Sequence, residues 1–389
     1  MRDGFRRLAV AVKLSTSGSL AGNIRKGKRV MIKASSCLLV PLAVLLTVTV
    51  LLAGCGGSKT PSSAPQQQPA QQQPAQQPSQ PAPAQKPVRA ALFHLVRANA
   101  YDQARIDGIN GKAKELNAQV DFFSCEYNTQ EQINQIQDAI TANKYDVFMI
   151  HPNDSNALVP AIQEALKKGI VVIGADAPIG PNTRSLKPYP EGVKCIIGRT
   201  GWTTGTFLGK AVVEASKGKK VSKVAYLIGM QALSIDQDRY EALKQVIKDQ
   251  PHIQVVAFQE GQYRRDISRQ VMQNVLQAHP DISVVVSSGD QMTLGAYDAA
   301  KEAGLEKKIK FIGNGCSKEG LQAIKDGWFF GGYADIPYTQ GQLLIETAVK
   351  AVRGEKVPEY INLEDQRPPL PPEGPIITQE NVGKFQGQW

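Results

Sequence analysis

From Val88 onward, short β-branched and aromatic runs alternate with segments whose apolar residues recur every three to four positions. The runs AALFHL (90–95), VDFFS (120–124), YDVFMI (145–150), GIVVIG (169–174) and KCIIG (194–198) have the length and composition of buried strands. Between the first four lie DQARIDGINGKAKELN, TQEQINQIQDAITANK and SNALVPAIQEALKKG, which carry helical spacing. Thr129 and Ser155 are the expected N-caps, and Pro160 falls in a first turn, where it is tolerated. The alternation then runs a second time. KVAYLIG, IQVVAFQ, ISVVVSS and IKFIGNG read as strands; DQDRYEALKQVIKD, RRDISRQVMQNVLQAH, DQMTLGAYDAAKEAG and SKEGLQAIKDG read as helices. Such alternation predicts parallel sheets with helices on both faces, here as two doubly wound α/β lobes. Sheets of this kind bind ligands beyond the carboxyl ends of their strands. Two lobes facing each other would share one cleft that closes about a hinge.

The first 87 residues follow neither pattern. The apolar run from Cys37 to Ala53 is interrupted by Pro41 and follows Lys33, the arrangement of a signal peptide. Met31 opens a signal of ordinary length by itself, so translation could start there, and residues 1–54 are read as signal peptide. Leu52-Ala53-Gly54-Cys55 resembles the bacterial lipobox, which makes the Cys55 thiol the expected lipidation site. Residues 55–87 then form a Gln/Pro-rich tether with no apolar period, expected to be disordered and able to extend about 100 Å. Formal charge follows the same division. Of the net +10, nine Lys/Arg and the single acid Asp3 lie before Cys55; the remainder carries 36 basic against 34 acidic residues. A nucleic-acid binder would keep its positive charge on the folded part, so no nucleic-acid partner is expected.

The folded part resembles the ribose-type (type I) periplasmic solute-binding proteins of ABC sugar importers. IHPNDSNALVPAIQEALKKGIVVIGAD is similar to their third strand, helix and fourth strand; VMQNVLQAHPDISVVVSSGDQMTLGAYDAAKEAG is similar to their second-lobe segment, and GPIITQENV to their closing strand. The resemblance implies a periplasmic binding protein-like fold joined by a three-strand hinge. Residues 88–199 with 336–362 would form the first lobe, and 200–335 with 363–389 the second, with crossings near Arg199, Asp335 and Asn362. Together with the lipobox and tether, it implies a lipid-anchored, extracytoplasmic and monomeric receptor. Such a receptor would capture a small sugar or polyol and deliver it to ABC permease subunits, or present a ligand to a kinase or chemoreceptor.

Site residues follow from the same resemblance. Asn99 and Tyr101 occupy the place of an Asn followed by aromatics, and His151 stands where the family usually has Asn. Asp176 matches a carboxylate that accepts two sugar hydroxyls. Gln237 replaces a ligand Arg, Arg239 matches a second Arg, and the Asp236-Gln237 pair resembles the autoinducer-2 and rhamnose branch. Tyr263 matches an aromatic that stacks on the sugar ring. Asp335 falls at a cleft and hinge position. Gly289, Gly315 and Ala177 stand where ribose binders carry Asn, Asp and Arg, which points away from ribose itself; Asp290 is the candidate replacement beside Gly289, or a helix N-cap. No nucleophile motif or close carboxylate pair accompanies the four histidines, so neither an enzyme nor a cofactor is expected. Cys125, Cys195 and Cys316 show no zinc spacing and are expected as free thiols, with Cys125 and Cys195 in strands on opposite flanks of one sheet.

Overall fold

The computed structural model describes residues 86–389. The signal segment, the lipobox with Cys55 and most of the tether lie outside the described residues.

Two six-stranded sheets carry the fold. The first is built from β1 (Val88–His94), β2 (Ala118–Ser124), β3 (Val147–Ile150), β4 (Val171–Asp176), β5 (Cys195–Gly198) and β11 (Tyr360–Asn362), in the order β11-β5-β4-β3-β1-β2. The second is built from β6 (Ser222–Ile228), β7 (Ile253–Glu260), β8 (Val284–Ser287), β9 (Lys310–Gly315), β10 (Phe329–Ala334) and β12 (Ile376–Ile377), in the order β12-β10-β9-β8-β6-β7. Every pairing is parallel except that of β12 with β10. Both faces of each sheet are covered. Along β1, Ala90 and Leu92 join one core while Ala91 and Phe93 join another on the opposite face. That two-sided burial is why the strands read as apolar runs rather than as alternating ones.

The chain passes between the sheets after β5, after β10 and after β11. Helix α4 (Gly201–Ala215) therefore packs in the second lobe against α5 (Ser234–Ile247), and α9 (Pro337–Val352) packs in the first lobe against α1 (Ala100–Glu115). Each pair is drawn close by a glycine. A Cβ on Gly341 of α9 would sit 2.1 Å from the carbonyl oxygen of Arg105, and one on Gly205 of α4 would sit 2.0 Å from that of Arg239. The other helices are α2 (Thr129–Ala142), α3 (Val159–Lys167), α6 (Arg265–Ala278), α7 (Asp290–Glu302) and α8 (Lys318–Lys325).

Some local expectations need correcting. The N-cap of α2 is Asn128, whose Oδ1 accepts from the Glu131 amide at 3.0 Å; Thr129 is the first helical residue. Helix α3 starts later than Ser155, because the Asp154 carboxylate holds residues 154–157 in a turn by accepting from the amides of Asn156 and Ala157, both at 2.9 Å. Cys125 lies just past the end of β2 rather than within it; it, Cys195 and Cys316 are buried free thiols.

Candidate functional site

The carboxyl ends of both sheets meet across a cavity of about 80 Å³. By that measure a single water needs about 10–15 Å³, so the space suits a small organic molecule. The elements around it repeat. Helix α1 follows β1 and its first turn carries Asp102-Gln103-Ala104-Arg105; α5 follows β6 and its first turn carries Asp236-Gln237-Asp238-Arg239. In each turn the aspartate pairs with the arginine three residues on. The loops after β2 and β7 match as well, with Glu126-Tyr127 and Gln262-Tyr263 all at positive φ. These loops point Tyr127 and Tyr263 at each other, stacked at 6.4 Å and 10°.

A charge network forms the first-lobe floor. Asp176 ends β4 with φ +66°, an uncommon backbone for a residue with a side chain. Its Oδ1 accepts from the Tyr101 hydroxyl at 3.0 Å, Arg199 Nη1 at 3.0 Å and Gln340 Nε2 at 3.3 Å. His151 Nε2 stands 3.3 Å from Oδ2, and Arg105 Nη1 stands 4.0 Å from it. Burial alone would raise the Asp176 pKa, but the Arg199 and Arg105 guanidiniums and the Tyr101 hydrogen bond outweigh it and hold the carboxyl well below the usual range. Burial pushes His151 down to about 3, so its ring is neutral. Its Nδ1 faces Arg105 Nη2, a pure donor, at 3.2 Å, which leaves the proton on Nε2 to be donated to Asp176. Arg199 reaches on to Asp335, donating from Nη2 to Oδ2 at 2.8 Å. Burial pushes Asp335 up to about 7 against the pull of Arg199.

The second-lobe wall is built from Arg239, Tyr263, Ser288 and Asn314. Tyr263 donates to Asp236 Oδ1 at 2.7 Å, and Arg239 Nη1 lies 3.3 Å from the same hydroxyl. Asn314 donates to the Ser288 carbonyl at 2.7 Å, while its buried Oδ1 and Arg239 Nε have no partner among the described residues. A hydroxyl of a bound molecule could donate to Asn314 Oδ1. Trp389 completes the wall, its ring edge-on to Tyr101 at 5.6 Å and 87°.

Of the residues named from the sequence, Asn99, Tyr101, His151, Asp176, Arg239, Tyr263 and Asp335 line the cavity. Asn99 also caps α1, its Oδ1 accepting from the Asp102 amide at 2.7 Å. Three of the named residues do not line it. Gln237 is exposed and donates to the Gln231 carbonyl at 2.7 Å, because a helix turns the residue after Asp236 away from the face that carries Asp236 and Arg239. Asp236 is fully buried behind Tyr263 and Arg239, and its Oδ2 accepts from the Met230 amide at 2.8 Å. Asp290 is the first residue of α7, with Gly289 as the N-cap; its carboxylate accepts from the Ser317 amide at 2.7 Å and the Ser317 hydroxyl at 2.9 Å, tying α7 to the start of α8. Sequence reasoning missed Tyr127, Arg199, Asn314 and Trp389. The repeated D-Q-x-R turn and the parallel E-Y and Q-Y loops were signals available in the sequence; nothing comparable marked Trp389.

Among the described residues no group of His, Cys, Asp and Glu is arranged to hold a metal ion, and no helix is long and apolar enough to cross a membrane.

Comparison with known proteins follows the same outline. A periplasmic binding protein domain matches residues 92–356. The chain is 30% identical over 255 residues to the ribose import binding protein RbsB of Bacillus subtilis, covering 66% of this chain and 78% of that one. It is 25% identical over 280 residues to the xylitol-binding protein of Mycolicibacterium smegmatis, covering 71% and 73%. The fold superposes with a TM-score of 0.66 on an ABC transporter solute-binding protein from Actinobacillus succinogenes with bound D-allose, at 24% identity and with 77% and 100% of the two chains covered. These are binding proteins rather than catalysts, and the chain belongs with them to the periplasmic binding protein family.

Proposed function

We propose that this protein is an extracytoplasmic receptor that captures a small sugar or related polyol and delivers it to the permease subunits of an ABC importer. The observation that carries the reading is the cleft itself. Strand ends from both lobes supply fixed hydrogen-bonding groups, including the unpartnered Asn314 Oδ1, while Tyr101, Tyr127, Tyr263 and Trp389 supply aromatic surface. Amides and charged groups suit hydroxyls, and aromatic faces suit the C–H side of a sugar. The similarity to ribose- and xylitol-binding proteins supports the same ligand class. Ribose itself fits less well. Gly289 and Gly315 contribute no side chain, and the aromatic rings of Tyr263 and Trp389 lie against them instead. Asp176, the expected hydroxyl acceptor, is already occupied by protein donors. The lobes would act as a monomeric clamp that rotates at the crossings near Arg199, Asp335 and Asn362.

A thermal-shift screen of the purified full chain against D-ribose, D-allose and xylitol tests this reading. A ligand at 100 times its Kd adds about 2.7 kcal/mol to stability, and at least one member of the panel or a close relative is expected to raise the melting temperature. Silence across sugars and polyols, or chemical turnover of any of them, sinks the reading.

Lipid anchoring at Cys55 is the second part of the proposal and rests on the Leu52-Ala53-Gly54-Cys55 sequence after an apolar run. Cys55→Ser is expected to abolish acylation and leave the preceding segment uncleaved by the lipoprotein peptidase. A mature, acylated Cys55→Ser species in the membrane fraction would show that the anchor lies elsewhere.

A further inference from the structure

Asp176 and Gly315 occupy equivalent places in the two lobes, each ending the fourth strand of its sheet at positive φ. The first lobe puts a carboxylate there; the second puts nothing of its own. Gly315 has φ +135°, and a Cβ on it would lie 2.3 Å from Cζ2 of Trp389. The indole therefore takes the room that a side chain at 315 would need. It is fixed from two directions. Its Nε1 donates to the Gly315 carbonyl at 3.3 Å, and the Trp389 carbonyl accepts from the Lys318 amide at 2.8 Å, both in the second lobe. Gln388 bonds instead to the first lobe, where its Oε1 accepts from the Thr339 amide at 3.0 Å and its Nε2 donates to Thr339 Oγ1 at 2.8 Å. The preceding Gly387 lies flat on the start of α8, since a Cβ there would come within 2.9 Å of the Lys318 nitrogen and 3.1 Å of the Cys316 carbonyl oxygen.

We propose that Trp389 is a specificity-determining wall of the ligand site. Its indole stands in for the missing second-lobe side chain and limits the site to a single small ring or polyol chain with a C–H-rich edge. Gln388 holds the indole in register with the first lobe when the cleft is closed. The inference rests on the solute-binding reading for its ligand class, but the seat of the indole does not. A large apolar ring in place of a polar side chain removes a hydrogen-bond partner and adds flat surface. The site then recognises shape on that side and hydroxyls on the other.

Two measurements on the full chain test this. Calorimetry with D-ribose, D-allose, xylitol and the larger maltose compares the wild type with Trp389→Ala and Trp389→Phe. For whichever small probe binds the wild type, Trp389→Ala is expected to weaken affinity by about tenfold or more, to shift the preference toward the larger probes, and to be partly corrected in Trp389→Phe. Unchanged affinities and an unchanged ranking in Trp389→Ala overturn the proposal. The second measurement needs no ligand. In a Trp202→Phe, Trp328→Phe background Trp389 is the sole tryptophan, and its emission is expected to be blue-shifted and protected from acrylamide. Emission and quenching like those of free tryptophan overturn the proposal. If no probe binds the wild type, the sugar reading falls and the fluorescence alone decides whether the indole walls the cleft.

Discussion

Asp176 was legible as the last residue of a buried apolar run, and strand ends are where ligand groups belong in this class of sheet. Its partners were not legible, because Tyr101, His151, Arg199 and Gln340 come from four other places in the chain and meet only in three dimensions. That gathering changes what a substitution does. The sequence alone suggests a ligand contact that can be removed with the fold intact. In the structure the carboxylate is buried and neutralises Arg199 together with Asp335. Removing one partner of a buried charge set typically costs about 3–5 kcal/mol, and Asn keeps part of the hydrogen bonding. Asp176→Asn is therefore expected to destabilise the ligand-free protein by roughly 2–4 kcal/mol as well as weakening binding. Urea unfolding without ligand measures the first effect, and a wild-type midpoint would show that the network bears no weight in the fold.

Most elements were readable from an apolar run or period, but α4, α9 and β10 were not. The strands β1–β9 and helices α2, α6 and α8 follow the apolar pattern closely, while α1, α5 and α7 carry a weaker stripe, α1 with Gly108 and Gly111 and α7 with Gly295. Helix α4 escaped notice because Gly201, Gly205 and Gly209 interrupt its stripe, and an isolated glycine normally argues against a helix. Its contacts explain them. At 205 the backbone of α5 comes too near for any side chain, so the residue that lowers helix propensity is the one that permits the packing. The same geometry recurs at Gly341, where α9 meets α1. Through these two contacts the D-Q-x-R turns are braced from behind, at the carbonyl of the arginine that pairs with the aspartate of the turn. Strand β12 was legible only through family resemblance, since two residues are too few to show a period.

At the scale of the whole molecule, the two-lobed plan followed from a pattern that ran twice, and the shared cleft followed from where parallel strands end. The content of the cleft did not follow, since it depends on which residues the three crossings bring face to face. The crossing after β5 brings Arg199 and the crossing after β10 brings Asp335, and they join Asp176 in one chain of alternating sign. Arg105 with Asp102 and Arg239 with Asp236 add two ion pairs, so four carboxylates stand with three guanidiniums, and burial pushes one of those carboxyls, Asp335, up to about 7. A cleft whose charges are already spoken for is electrically quiet, and a solute bearing its own charge would leave one member unmatched beside these buried ion pairs. Binding of a neutral probe such as D-allose is accordingly expected to change by less than about twofold between low and high salt, since screening acts on exposed charges and hardly on buried pairs. A strong salt dependence would mean that an unpaired charge faces the ligand. Sugar acids and phosphorylated sugars, though they share the hydroxyl pattern of their neutral parents, would pass this receptor by.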